Sequence, residues 1–195
     1  MNYLAHLHIA EHCQSSPLGN LLGDFVKGDP ASQYPKPISD GIKLHRFVDS
    51  FTDSHEIMAE IKPLFPKETR RYSGIALDMF WDHCLAVNWQ QYHSDSLDGF
   101  SRHMARVTQD EYRGELPERY QRVSASMWRD GWLVSYQHMD NIEFALERIA
   151  LRSARMAPLA SCFTTLDTHY LQLKDLFGQF YPKVLLESAK KSQSL

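Results

Sequence analysis

No run of apolar residues in the 195-residue chain lasts more than a few positions, which excludes a membrane-spanning helix. No lysine or arginine precedes Lys27, so the positively charged start of a secretory signal is missing as well, and a cytoplasmic protein without a membrane partner is expected. Cysteine is scarce. Cys13, Cys84 and Cys162 are odd in number and far apart, which argues against a disulfide framework or a cysteine-based zinc site and leaves three small, reduced core residues. There is no surplus of positive charge: 21 Lys and Arg stand against 24 Asp and Glu, and a net charge of −3 carries no global signature for nucleic acid. Also missing are internal repeats, low-complexity tracts and any period-two alternation long enough for a central strand.

What is present is a helical period. From Leu159 the apolar positions run Leu159, Phe163, Leu166, Tyr170, Leu173, Phe177 and Phe180, which reads as one long amphipathic helix stopped near Pro182. Asp140 or Asn141 caps a helix to about Arg155, Pro117 opens one to about Val134, and Leu97–Val107 and Lys67 to about Trp89 are two more. Ser16-Pro17 reads as an N-cap and first helical position for Leu18–Val26. The proline-rich loop from Gly28 to Pro37 is followed by a helix capped at Ser39 or Asp40 and running through about His55. With 43% hydrophobic residues the chain is large enough for one core and small for two. The expectation is an all-α, single-domain helical bundle over residues 1–195.

Three clusters carry chemistry. Asp78 and Asp82 are one helical turn apart within Leu77-Asp78-Met79-Phe80-Trp81-Asp82-His83, so two carboxylates project the same way among large apolar side chains. Such a pair is costly to desolvate without a cation, and a divalent metal is the simplest compensation; the bland alternative is a surface pair answering Arg70 and Arg71. His45, Asp49 and Asp53 recur at helical spacing, an arrangement that holds a metal or, more plainly, makes solvent-facing pairs with Lys43 and Arg46. The N-terminal histidines cannot all serve one site, because His8 and His12 share a helix face while His6 lies on another with Ala10 and Cys13. Asp24, between Gly23 and Phe25 in an apolar segment, is the best single candidate for function.

These motifs in order, Asn2-Tyr3-Leu4-Ala5-His6-Leu7-His8, Gly19-Asn20-Leu21-Leu22-Gly23-Asp24-Phe25, His45 through Asp53, Thr69-Arg70-Arg71, Leu77 through His83 and Phe180-Tyr181-Pro182, resemble the acyl carrier protein phosphodiesterases along essentially the whole chain. The resemblance implies an all-α enzyme of fatty acid biosynthesis, distantly related to the HD-domain phosphohydrolases. It implies hydrolysis of the phosphodiester joining 4′-phosphopantetheine to a serine of holo-acyl carrier protein, with Mn²⁺ required. The HD pattern itself is altered: Asp82-His83 stands in reverse order and His45 has no adjacent aspartate. The working ligand set is Asp24, His45, Asp78, Asp82 and His83, with His6, Asp49 and Asp53 as further ligands or as groups that orient one.

An oxygen-rich set with one or two imidazoles suits Mn²⁺ or Mg²⁺, which would neutralise phosphoryl oxygens and activate water. Asp24 is the choice for ligand or general base, and His83 or His6 for the acid that protonates the leaving serine oxygen. No Gly-x-Ser-x-Gly elbow supports a covalent serine route. An acidic carrier protein calls for a basic docking face, and Lys43, Arg46, Lys67, Arg70 and Arg71 adjoin the proposed site in sequence. Two other readings stay open at this point: an HD-type phosphohydrolase of a nucleotide or small phosphoester, and a non-enzymatic helical binding module.

Overall fold

Two helices are buried on nearly every side, and the rest of the chain is laid around them in a computed structural model that describes residues 1–195. One is α1 (Tyr3–His12), buried from Leu4 to Ala10; the other is α5 (Ser73–Val87), buried from Met79 to Ala86. Helices that are apolar all round belong in an interior, and these two carry the ionisable groups of their motifs into it. Around them lie α2 (Pro17–Leu22), α3 (Lys36–Ser54), α4 (Glu56–Ile61), α6 (Leu97–Asp110), α7 (Glu118–Arg129), α8 (Trp132–Ser135), α9 (Met139–Ala150), α10 (Cys162–Thr168) and α11 (Tyr170–Ser192). The protein is one all-α helical bundle, with no strand, around a continuous core of 45 buried apolar residues. No helix is long and apolar enough to cross a membrane. Cys84 and Cys162 are buried and Cys13 half-buried, all as free thiols.

The helix ends follow local chemistry. Ser16 accepts the Gly19 N–H at 2.8 Å with Pro17 in the first turn, the expected cap for α2. Where a longer helix was expected from Pro117, Gly131 takes a left-handed φ of 61° and divides it into α7 and α8. The helix expected from Lys67 starts only at Ser73, after the short turn Arg70–Tyr72, and that expected to reach Arg155 ends at Ala150. Pro182 does not stop the final helix. A break before Tyr170 separates α10 from α11, and Pro182 lies inside α11, because Phe177, Phe180, Tyr181 and Val184 on both sides of it are buried in the core. Trp81 stacks on Phe177 at 5.8 Å and Phe177 on Tyr181 at 4.9 Å, so α11 is pinned to α5 across the proline.

Candidate active site

The first turn of α1 has backbone N–H groups that its own N-cap residue, Asn2, does not satisfy. Asp82 does so from α5. Its carboxylate accepts from Leu4 N–H at 2.7 Å, Ala5 N–H at 3.1 Å and Asn2 N–H at 3.2 Å, in full burial. One turn earlier Asp78 takes the α-ammonium of Met1 at 2.5 Å. The compensation this carboxylate pair needs therefore comes from the chain's own N-terminus. Burial works to lower the ammonium, and Asp78 and Asp49, 3.7 Å away, outweigh it and raise it to about 10. Burial likewise pushes Asp78 up to about 6 and Asp82 up to about 7 in spite of these partners.

Held this way, α1 points His6 at α3. The His6 and His45 rings stack with centroids 3.7 Å apart, and both turn Nε2 toward Asp49: His6 Nε2 lies 3.1 Å from Oδ1 and His45 Nε2 3.0 Å from Oδ2. Asp24 Oδ1 is 3.5 Å from the same His45 nitrogen. On the far side of the His45 ring, Nδ1–H donates to the Asn20 carbonyl at 2.7 Å. That bond fixes the tautomer. In a neutral ring the buried Nε2 lone pair then faces two carboxylates, which requires a positive charge on the ring or between the groups. Burial would lower His45, but Asp24 and Asp49 raise it to about 9. Burial and the neighbouring His45 push His6 down to about 4. Against burial, the two imidazoles hold Asp49 far below the usual carboxylate range, and His45 lowers Asp24.

The residues fit a divalent metal. His6, His45 and Asp49 each offer a donor atom within 4.8 Å of the others, and two buried ring nitrogens, His6 Nδ1 and His45 Nε2, make no well-aligned hydrogen bond. Asp24 adds an oxygen from a half-exposed side chain. Two imidazoles with carboxylates offer a divalent ion nitrogen and oxygen donors and no thiolate.

A family model for acyl carrier protein phosphodiesterase matches residues 1–184. Curated acyl carrier protein phosphodiesterases are similar along nearly their whole length. That of Photorhabdus laumondii is 38% identical over 192 residues, covering 98% of this chain and 96% of that one. That of Pectobacterium atrosepticum is 39% identical over 198 residues, 99% and 100% of the two, and that of Yersinia pestis 40% over 192 residues, 98% and 99%. The chain belongs to the acyl carrier protein phosphodiesterase family. It is an enzyme, as its family is. No solved structure matches it.

Of the site residues expected from the sequence, this phosphodiesterase brings Asp24, His45, Asp49 and His6 together, with Asp78 joined to Asp49 through the Met1 ammonium. Asp53 is exposed, and its charge acts on Asp78, whose helix α5 starts opposite it. Asp82 lies behind this cluster with its oxygens committed to α1. His83 is not part of it. Its Nδ1–H donates to Tyr136 O at 2.8 Å and its Nε2 accepts from Tyr170 OH at 3.0 Å, on another side of α5. The cations are also redistributed. Arg46 donates to Val26 O and Gly28 O, tying α3 to the segment after Asp24, and Arg70 donates to Phe65 O. Lys43 reaches Asp40, Arg71 lies over the Tyr72 ring, and Lys67 is exposed.

Sequence reasoning missed three parts of the site: the Met1 ammonium, the Asn20 carbonyl and Gly23. A Cβ at Gly23 would stand 2.1 Å from His45 Cδ2. The glycine lets the chain run against the imidazole and delivers Asp24 to its edge. The Gly-Asp pair was visible in the motif, but nothing in sequence says that a ring from α3 fills the missing side chain's place.

Proposed function

We propose that this protein is a divalent-metal phosphodiesterase, a divergent HD-type enzyme over residues 1–195, that removes 4′-phosphopantetheine from the serine of holo-acyl carrier protein. The convergence of His6, His45, Asp49 and Asp24 carries this reading, in a chain whose relatives are acyl carrier protein phosphodiesterases. Mn²⁺, or Mg²⁺, held by Asp24, His45 and Asp49 with His6, would neutralise the phosphoryl oxygens and acidify a water molecule.

The chain's own groups have distinct tasks. Asp49 takes both imidazoles and fixes their spacing, while Asn20 fixes the His45 tautomer. Asp24 has the most exposed side chain of the cluster, 51% accessible against 38% for Asp49, so it is the carboxylate most open to an incoming water. With Oδ1 turned to His45 and the metal position, its other oxygen, Oδ2, serves as the base: water gives it a proton as the new P–O bond forms. The P–O bond to serine breaks, and the proton passes from Asp24 to the serine oxygen. Buried and held neutral, His6 orients Asp49 rather than protonating the leaving group. The products are 4′-phosphopantetheine and apo-carrier protein.

Turnover of holo-carrier protein in ¹⁸O-labelled water, followed by mass spectrometry of both products, tests this directly. One labelled oxygen is expected in the phosphate of 4′-phosphopantetheine, with unlabelled apo-carrier protein. Label on the serine, or a carrier that keeps its prosthetic group, refutes it.

A further inference from the structure

The four carboxylates of Asp24, Asp49, Asp53 and Asp78 outnumber the Met1 ammonium together with the two charges a divalent metal would bring, so the cluster itself offers an acidic protein no net attraction, which has to come from the rim. Such a rim exists. Arg119, in the first turn of α7, places its guanidinium 5.3 Å from the centre of the Phe25 ring, the residue after Asp24. Arg119 and Arg152 both lie within electrostatic range of the Tyr3 phenol, as Asp24 does. Three residues beyond Arg152, the Arg155 carbonyl accepts the Tyr72 hydroxyl, and Arg71 lies over the Tyr72 ring at 4.6 Å. The arc thus runs from α7, past Tyr3, to the turn before α5.

These arginines differ from most others on the surface, although Arg106 and Arg148 are likewise exposed and paired with no acid. Arg102, Arg113, Arg122 and Arg129 are each paired with an acid on their own helix or turn, and Arg46 and Arg70 are bonded to backbone carbonyls. Arg119, Arg152 and Arg155 are exposed and give their guanidinium to no carboxylate. Beside Arg152 stands Leu151, 76% exposed, among the most exposed large apolar side chains of the protein. A cationic arc with an apolar point matches a partner surface of carboxylates around a small apolar patch.

We propose that Arg71, Arg119, Arg152 and Arg155, with Leu151, form the docking surface for the acidic face of the carrier protein and present its modified serine to Asp24 and Asp49. This rests on the reading of the reaction given above. It moves the docking face from Lys43, Arg46, Lys67 and Arg70 to α7 and the segment that follows α9, keeping Arg71 of the residues expected from sequence.

The test is steady-state turnover of holo-carrier protein by Arg119→Glu and by the double variant Arg152→Glu with Arg155→Glu, beside Arg102→Glu as a surface control. Each variant is checked by its thermal melt, and Arg→Gln forms serve if a charge reversal does not fold. KM is expected to rise about tenfold or more with kcat within about twofold, because rim charges act on encounter and not on chemistry. Added salt should weaken the wild type in the same direction, since exposed charges are screened over about 8 Å at physiological ionic strength. An unchanged KM overturns the surface, and so does a fall in kcat at constant KM, which would put the arginines on the reacting phosphate. Anisotropy of a fluorescent holo-carrier protein separates this from the reaction itself. Binding that needs the arginines, without turnover, fails the reaction and supports the surface; turnover with binding that ignores them does the reverse.

Discussion

Replacing Gly23 by alanine adds one methyl group, and the structure says where it goes. The new Cβ would stand 2.1 Å from His45 Cδ2, 2.2 Å from Cγ and 2.7 Å from Nδ1. The ring would have to retreat by roughly 1.3 Å to reach ordinary contact at 3.4 Å. It has little room. His6 covers one face at 3.7 Å, Nδ1 is bonded to Asn20 O at 2.7 Å, and Nε2 lies 3.0 Å from Asp49. Overpacking of this kind costs about 1–3 kcal/mol in stability. Loss of the Asn20 bond adds about 1 kcal/mol. The larger effect is on rate, since misplacing a catalytic group by about 1 Å costs on the order of a hundredfold. Urea unfolding by circular dichroism and initial rates on holo-carrier protein measure the two separately. Gly23→Ala is expected to lose both; a wild-type midpoint with a wild-type rate would refute the placement of His45 against Gly23.

Asp24→Ala should lower turnover by at least about a hundredfold with an unchanged melt, because its side chain is half exposed and supports little of the core; a near wild-type rate would make it structural. Asp82→Ala should behave in the opposite sense, losing on the order of 3 kcal/mol of stability as the N–H groups of Asn2, Leu4 and Ala5 at the start of α1 are left without their acceptor, and Asp82→Asn should lose less. Equal stability of Asp82→Ala and wild type in urea would contradict the cap. His8 gives a pH signature. It donates from Nε2 to Tyr92 O and accepts from Tyr181 OH, and burial lowers it from 6.5 to about 4. The folded state then binds fewer protons than the unfolded state between those values, so stability is full above pH 6.5 and falls toward pH 4 by about 3 kcal/mol. Chemical denaturation at pH 7 and pH 5 should show a steeper loss for wild type than for His8→Gln, and parallel losses would reject this.

The all-α class was legible because α3, α6, α7 and α9 keep a clear apolar face, so period alone places them. The buried helices α1 and α5 show no such face; their hydrophobicity surrounds them, and only their ionisable residues stand out. That is why Asp78, Asp82 and His83 read as one cluster. They are close in sequence, but successive helical residues point about 100° apart, and only packing shows that His83 meets Tyr136 after α8 and Tyr170 at the start of α11 while Asp82 meets α1. Asp24 was readable as a carboxylate in an apolar segment, and His45 and Asp49 as an imidazole and a carboxylate one helical turn apart. His6 was recoverable only as one of several histidines. The arginines proposed for docking could not be found by nearness in sequence, because only the fold brings Arg119 and Arg152 within electrostatic range of Tyr3.

The central claim is that His6, His45, Asp49 and Asp24 hold the divalent metal on which the phosphodiesterase reaction depends. Its most direct test is the rate of 4′-phosphopantetheine release from holo-carrier protein by metal-stripped enzyme as Mn²⁺ is added, for wild type, Asp49→Ala and His83→Ala. The wild type should be inactive without metal and recover with it, Asp49→Ala should stay inactive throughout, and His83→Ala should recover like the wild type. Full activity of thoroughly stripped wild type, or recovery of Asp49→Ala alongside failure of His83→Ala, would contradict the claim.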